Sequence, residues 1–172
     1  MFFCCISFIE ENLSALFQRK DEKIIELICQ SLSVKKQVVE KDPYDLGRRE
    51  ILNFGHTLGH GFESASHFLL THGEAVTLGL LGESFLSYRL EKLPLPSFQR
   101  IEKLLCHLPL QKGVCFSEKE LFSSLFYDKK VREKKLCFVL LEEIGKPFSF
   151  SSIPSSLIKE ALFYAHRYYQ TL

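Results

Sequence analysis

The sequence predicts a mostly helical protein, a bundle with one or two short strands. Two observations carry this prediction: apolar residues recur at spacings of three and four along most of the chain, and two capping-box patterns mark helix starts. The 172 residues are 46% hydrophobic and 25% charged, which is typical of a globular protein with one core. No repeat, linker or composition shift divides the chain, so residues 1–172 are predicted to form a single domain.

The first predicted helix covers residues 21–39, where Ile24, Ile28 and Leu32 recur on one face. Pro43 ends this helix, because the residue before a proline is pushed out of the helical region. Residues 43–49 (PYDLGRR) then form a predicted turn.

Two further helices follow the turn. One is predicted over about residues 50–66 and carries His56 and His60. The next begins at Thr71, because Thr71 and Glu74 have the spacing of a capping box, and it runs to about residue 93. His72 therefore lies at the start of that helix.

The second half of the chain repeats these signals. Residues 97–108 have a helical pattern, and Ser117 with Glu120 forms the second capping box. The continuous apolar run 136–141 (LCFVLL) is the one clear strand candidate, and a last helix is predicted from about residue 155 to residue 169.

The charge balance argues against a nucleic-acid partner. Lysine and arginine total 22 against 21 acidic residues, so the net charge of +1 gives no long-range field toward polyanions. The apolar N-terminus lacks a basic region and meets Glu10 too early for a secretory signal, and no uncharged run reaches the length of about 20 residues that crosses a membrane. We therefore expect a cytoplasmic protein without a membrane partner.

The six cysteines include no CxxC pair of the kind that binds zinc or exchanges disulfides. We expect reduced, mostly buried thiols, in agreement with a reducing compartment.

A histidine cluster is the first sign of chemistry. His56, His60 and His72 fall within seventeen residues, and the first two are four apart, on one face of a helix. Such a pair can bind one metal ion or one anion, or it can be an ordinary surface pair. Gly55 and Gly59 accompany it at a cost of about 1 kcal/mol each in a helix, which indicates close approach of another helix or of a ligand. The spacing does not choose between these alternatives.

A polar stripe extends the histidine pair along the predicted helix. Arg49, Asn53, His56 and His60 follow at i, i+4, i+7 and i+11. Asparagine and histidines are poor choices for mere solubility. An arginine, an amide and imidazoles suit a phosphate or carboxylate ligand, with a divalent metal as the other possibility.

Several motifs together resemble the C-terminal half of the 3-dehydroquinate synthase family, shikimate-pathway enzymes of the sugar phosphate cyclase group. The motifs are KKQVV at 35–39, Asp42, GRR at 47–49, LNFGHTLGHGFE at 52–63, HGEAV at 72–76, DKKV at 128–131, FVLL at 138–141 and Ile144-Gly145. The combination of LNFGHTLGH with HGEA is far more specific than any one motif.

The resemblance implies a role for each matching residue. His56 and His72 match the ligands of a divalent metal, zinc or cobalt. His60 and Lys129 match residues near the substrate phosphate, with Lys130 as a weaker match than Lys129. Arg49 and Asn53 match residues that bind the anionic groups, and Lys35 matches a lysine that contacts hydroxyls. Asp45 stands at a substrate-binding position where the family usually has glutamate.

The resemblance also implies a reaction and a missing part. The family converts a seven-carbon keto-acid sugar phosphate to 3-dehydroquinate and phosphate, with NAD as a transient oxidant. This chain lacks a Gly-rich dinucleotide fingerprint, so we expect the NAD-binding domain and a third metal ligand to lie outside it, on a missing N-terminal domain or partner chain. The chain alone is then expected to be inactive and to expose an apolar face, which favours aggregation or a homodimer. Another sugar phosphate cyclase or a non-catalytic remnant are the alternatives.

Overall fold

The computed structural model combines helices with a two-stranded hairpin; it describes residues 2–132 and 136–171, without the side chains of 2–4 and 126–132. Seven α-helices and one 3₁₀ helix lie in the described ranges, which confirms the mostly helical fold class. In chain order the elements are α1 (Phe2–Phe17), α2 (Asp21–Lys41), the 3₁₀ helix (Arg48–Asn53), α3 (His56–Ala65), α4 (His72–Arg89), α5 (Leu95–Leu105), α6 (Glu118–Arg132), β1 (Phe138–Glu143), β2 (Lys146–Phe150) and α7 (Ser155–Gln170).

Helix α4 is the centre of the core. Leu78 and Leu86 on it are fully buried, and the helix packs against α3, α5, α7 and β1. Its start is the predicted capping box: the Thr71 hydroxyl accepts from the Glu74 N–H, and the Glu74 carboxylate accepts from the Thr71 N–H at 2.8 Å. The second capping box, Ser117 with Glu120, is also present at the start of α6.

The predicted helix over residues 50–66 is wrong in its first part. The chain forms the 3₁₀ helix Arg48–Asn53, turns at Phe54 and Gly55, and begins α3 at His56. Gly55 has a φ of +82°, a conformation that ends helical geometry and favours glycine. The polar stripe therefore lies on two elements rather than on one continuous helix.

The hairpin β1–β2 is antiparallel and pairs Phe138 with Phe150. The first four residues of β1 are buried, and the Leu141 N–H donates to the Ser87 hydroxyl of α4 at 3.0 Å. The predicted strand thus exists, two residues later than its expected start.

Helices α1 and α2 pack on each other at the edge of the bundle. One face of α2 stays uncovered, with Ile25, Ile28 and Leu32 exposed by 59%, 50% and 58%. None of the described helices is long and apolar enough to span a bilayer.

The cysteines are free but not mostly buried, so that expectation is wrong. Of the five described, Cys29, Cys106, Cys115 and Cys137 are exposed. They lie on outer helix faces, helix ends and loops, where packing does not reach them.

Candidate metal centre and anion pocket

Three imidazole rings meet where α3 and α4 begin. His56 is the first residue of α3, His60 lies one turn further, and His72 is the first residue of α4. The ring centroids of His56 and His72 are 5.2 Å apart, and that of His60 lies 5.9 Å from each. Residues sixteen positions apart therefore converge, because α3 packs along α4.

The carboxylate of Glu63 joins two of these rings. It lies 2.7 Å from Nδ1 of His60 and 3.0 Å from Nδ1 of His72, and its side chain is only 15% exposed. Burial acts to raise the pKa of Glu63, but the hydrogen bonds from His60 and His72 outweigh it and hold the pKa below its usual value. An ionised carboxylate only accepts, so Nδ1 of each ring is the donor.

Because Nδ1 is engaged by Glu63, the other ring nitrogen of His60 and His72 is the one free to bind a ligand. When Nδ1 of a neutral imidazole carries the proton, Nε2 holds the free lone pair. Nδ1 of His56 lies 3.3 Å from the Phe54 carbonyl, another pure acceptor, so His56 takes the same form. Among the described residues, ligand atoms of His60, Glu63 and His72 lie within 4.8 Å of one another, in a group that does not include His56. Imidazole nitrogens with a carboxylate are a donor set that zinc and cobalt accept, so the residues fit a divalent ion.

An open cavity of about 490 Å³ lies beside the 3₁₀ helix. Its lining consists of Lys35, Asp45, Gly47, Arg49, Glu50, Leu52 and Asn53. Two cationic side chains and an amide thus line a space large enough for a small sugar acid. Two carboxylates in the same lining can accept hydrogen bonds from hydroxyl groups of such a ligand.

The loop before the pocket is held by Asp42, a little-exposed side chain at the end of α2. Its carboxylate accepts from the N–H of Leu46 at 2.7 Å and of Arg49 at 3.2 Å. The hydrogen bond from Leu46 is the main reason that the pKa of Asp42 lies below its usual value. The loop also needs positive φ angles, +57° at Asp45 and +123° at Gly47.

The predicted site residues therefore fall into two groups. Lys35, Asp45, Arg49 and Asn53 share the pocket, while His56, His60 and His72 share the cluster. The side chains of Lys129 and Lys130 lie outside the described residues. The roles of all these residues stay predictions.

Two carboxylates were missed as site residues in the sequence. Glu63 ends the LNFGHTLGHGFE motif, and its place three residues after His60 is a signal that could have found it. Glu83, a charged residue inside the apolar helix α4, is fully buried beside the start of α3. Its only sequence signal is that charge between apolar neighbours.

The described residues include no Gly-rich strand–turn–helix unit of the kind that binds dinucleotides. Within 2–132 and 136–171 the only sheet is the antiparallel hairpin, so no parallel strand leads through a Gly-rich turn into a helix there.

A family model described as 3-dehydroquinate synthase C-terminal matches residues 4–131. A 3-dehydroquinate synthase of Clostridium tetani is 40% identical over 142 residues, which cover 83% of this chain and 38% of that protein. The one of Methylacidiphilum infernorum is 37% identical over 161 residues, covering 89% of this chain and 45% of that protein. The chain thus spans less than half the length of these relatives.

Solved structures share the fold. A 2-epi-5-epi-valiolone synthase of Streptomyces hygroscopicus, described with NAD+ and Zn2+ bound, matches with a TM-score of 0.75 at 20% identity, over 95% of this chain and 46% of that one. A 2-deoxy-scyllo-inosose synthase, described in complex with carbaglucose-6-phosphate, NAD+ and Co2+, matches with a TM-score of 0.67 at 26% identity, over 82% and 41% of the two chains.

Proposed function

The chain belongs to the 3-dehydroquinate synthase family, and from this membership we propose that it is the metal- and substrate-binding part of such an enzyme. The reaction converts 3-deoxy-D-arabino-heptulosonate 7-phosphate to 3-dehydroquinate and inorganic phosphate in the shikimate pathway. One observation carries the proposal: the His56 and His72 rings lie 5.2 Å apart, and His56 follows three residues after Asn53, which lines a pocket with Lys35 and Arg49.

We assign the metal to Nε2 of His56 and of His72. Glu63 keeps the proton of His72 on Nδ1, and the Phe54 carbonyl does the same for His56, so that both rings present a lone pair. When bound, the divalent ion supplies Lewis-acid polarisation of a substrate hydroxyl.

The pocket side chains bind and orient the substrate. Arg49 offers a planar fork that suits a carboxylate or phosphate, and Lys35 offers a mobile point charge for hydroxyl and anionic oxygens. Asn53 can donate to and accept from ring hydroxyls. His60, when protonated, donates from Nε2 to the phosphate while its Nδ1 proton stays with Glu63. Charge on the departing phosphate is thereby stabilised.

The oxidation and reduction steps are assigned to residues outside this chain. NAD is named in the descriptions of two structural relatives, and the residues described in this chain do not fit it. We propose that an NAD-binding half supplies this cofactor and a third metal ligand. The apolar face of α2, with Ile25, Ile28 and Leu32 exposed, is the proposed contact surface for that half. The single-domain organisation and a cytoplasmic location remain part of the proposal.

A second candidate is another sugar phosphate cyclase, because both structural relatives above make other carbocycles. The relatives named 3-dehydroquinate synthase, at 40% and 37% identity, favour the first candidate. The two candidates differ in their substrate: only the first acts on a sugar phosphate that carries a carboxylate.

The test is phosphate release from the keto-acid phosphate with NAD and Zn2+. We expect none from the chain alone, release after fusion to the N-terminal half of the Clostridium tetani relative, and loss of at least about 100-fold in the fused His72→Ala variant. Release only from a sugar phosphate without a carboxylate would support the second candidate. No release from any fusion, with every part folded, would support a non-catalytic remnant.

A further inference from the structure

Three residues on a single face of α4 lie close to the first turn of α3 or to the ring of His56. His72, Gly79 and Glu83 are spaced i, i+7 and i+11, so they lie on one side of the helix. Glu83 is completely buried, and its two oxygens accept separately, Oε2 from the N–H of Gly55 at 2.8 Å and Oε1 from the N–H of Leu58 at 3.2 Å. These two amides lie on either side of His56.

The hydrogen bonds replace a cap that α3 cannot supply itself. The first amides of a helix need acceptors, and a side chain at the N-cap position normally provides one. The N-cap of α3 is Gly55, which makes no side-chain hydrogen bond. A β-carbon at Gly55 would lie 2.7 Å from Cγ of Leu80 and 2.8 Å from the Leu80 backbone nitrogen, so a capping residue does not fit there. Glu83 therefore caps α3 from the neighbouring helix.

We propose that Glu83 is a positioning residue for His56 and sets its ring relative to His72. This inference rests on the proposed metal role of His56 and His72. His72 and Glu83 belong to the same rigid helix, so a cap donated from α4 places the first residue of α3 in the frame of the other ligand. A cap from within α3 would satisfy the same amides without that coupling.

The decisive variant is Glu83→Gln. In either protonation state both oxygens of a carboxyl group can accept, whereas a glutamine amide has one accepting oxygen and an NH2 group that only donates. Whichever way the amide is turned, either Gly55 or Leu58 loses its acceptor. The first turn of α3 then shifts, while the size of the side chain is kept.

The matched control is Ser87→Ala. Ser87 lies one turn further along α4 and is also fully buried. Its hydroxyl donates to the backbone carbonyl of Glu83 and accepts from the N–H of Leu141, so it does not bond to α3. The experiment uses the full chain and measures two quantities: Co2+ affinity by absorbance titration, and the imidazole signals of His56 and His166 in a long-range 1H–15N spectrum. The ring of His166 lies on α7 and serves as an internal reference.

The proposal predicts a loss of Co2+ affinity of about 10- to 100-fold in Glu83→Gln and a displaced His56 signal without metal, with the His166 signal unchanged. Ser87→Ala is expected to keep both within about twofold of the wild type despite lower stability. Wild-type affinity and an unmoved His56 signal in Glu83→Gln would overturn the proposal.

A wild-type measurement covers the case in which Glu83→Gln does not fold. The amides of Gly55 and Leu58 must be protected from hydrogen exchange in metal-free protein, because Glu83 rather than the metal holds them. Fast exchange at both amides without metal overturns the proposal. Failure of the wild-type protein to bind Co2+, both alone and fused to the N-terminal half, would instead refute the metal role, and the His56 signal would then still decide whether Glu83 positions the ring.

Discussion

Gly79 in α4 lies against the backbone of Gly55 so closely that a β-carbon on Gly79 would stand 1.9 Å from the Gly55 carbonyl oxygen. It would also stand 2.6 Å from the Gly59 backbone nitrogen. Helix α3 and the turn before it therefore touch α4 backbone to backbone. This contact fixes the spacing of the two helices whose first residues are His56 and His72.

Gly79→Ala should destabilise the protein by at least about 3 kcal/mol, because the atoms that the new methyl meets are backbone and cannot rotate away. Gly73→Ala in the same helix is the matched control: its β-carbon would meet nothing within 4 Å, and we expect about 0.5 kcal/mol of added stability. Urea unfolding of both variants measures the difference. Equal midpoints would contradict the close contact.

Glu63→Gln should weaken Co2+ binding by about 10- to 100-fold, because an amide accepts a hydrogen bond from only one of the two rings that Glu63 now holds. A calorimetric titration measures this loss. Glu120→Gln is the control, since glutamine also completes a capping box and Glu120 holds only Ser117 and its own helix start. Unchanged affinity in Glu63→Gln would show that Glu63 does not orient the rings.

Glu83 should make stability fall as the pH rises. Burial raises the pKa of Glu83 from 4.5 to about 8, against the opposing backbone hydrogen bonds from Gly55, Leu58, Thr57 and Val139. Folding then takes up a proton between these two values, so the stability of the wild type relative to Glu83→Gln falls across that range, by up to about 1.4 kcal/mol per pH unit. Urea unfolding of both proteins at several pH values tests this, and a constant difference would refute it.

Asp42 should have the opposite pH dependence. Its pKa lies below the ordinary 3.8 because the N–H of Leu46, and then that of Arg49, donate to the carboxylate. Its stabilisation is present above pH 3.8 and is lost as the pH falls through the lower folded value. We expect Asp42→Asn to melt below the wild type at neutral pH, with the gap narrowing in acid. A gap that is the same at both pH values would exclude this role.

Local sequence signals predicted the elements that depend on near neighbours. The capping boxes at Thr71 and Ser117 and the stop before Pro43 involve residues within four positions, and the structure confirms all three. The single helix over residues 50–66 failed because the chain makes a left-handed turn at Gly55, so close to Leu80 on another helix that no β-carbon fits there. Periodicity does not record such a contact.

The motifs likewise predicted the residues of the candidate site but not the hydrogen bonds that orient their side chains. They singled out His56, His60 and His72 but gave no role to Glu63, which orients two of the rings. The exposed cysteines were misjudged for a similar reason, since burial depends on which helix face meets the core.

By itself, the sequence determined the fold class, the two helix starts with capping boxes and the family, because hydrophobic spacing, caps and motifs are written in consecutive residues. Only the tertiary structure decided that the rings of His56 and His72 meet, that a glycine contact sets the distance between α3 and α4, and that Glu83 on α4 caps α3. Those features join residues 16 to 28 positions apart in the chain, and their geometry exists only when α4 is packed against α3.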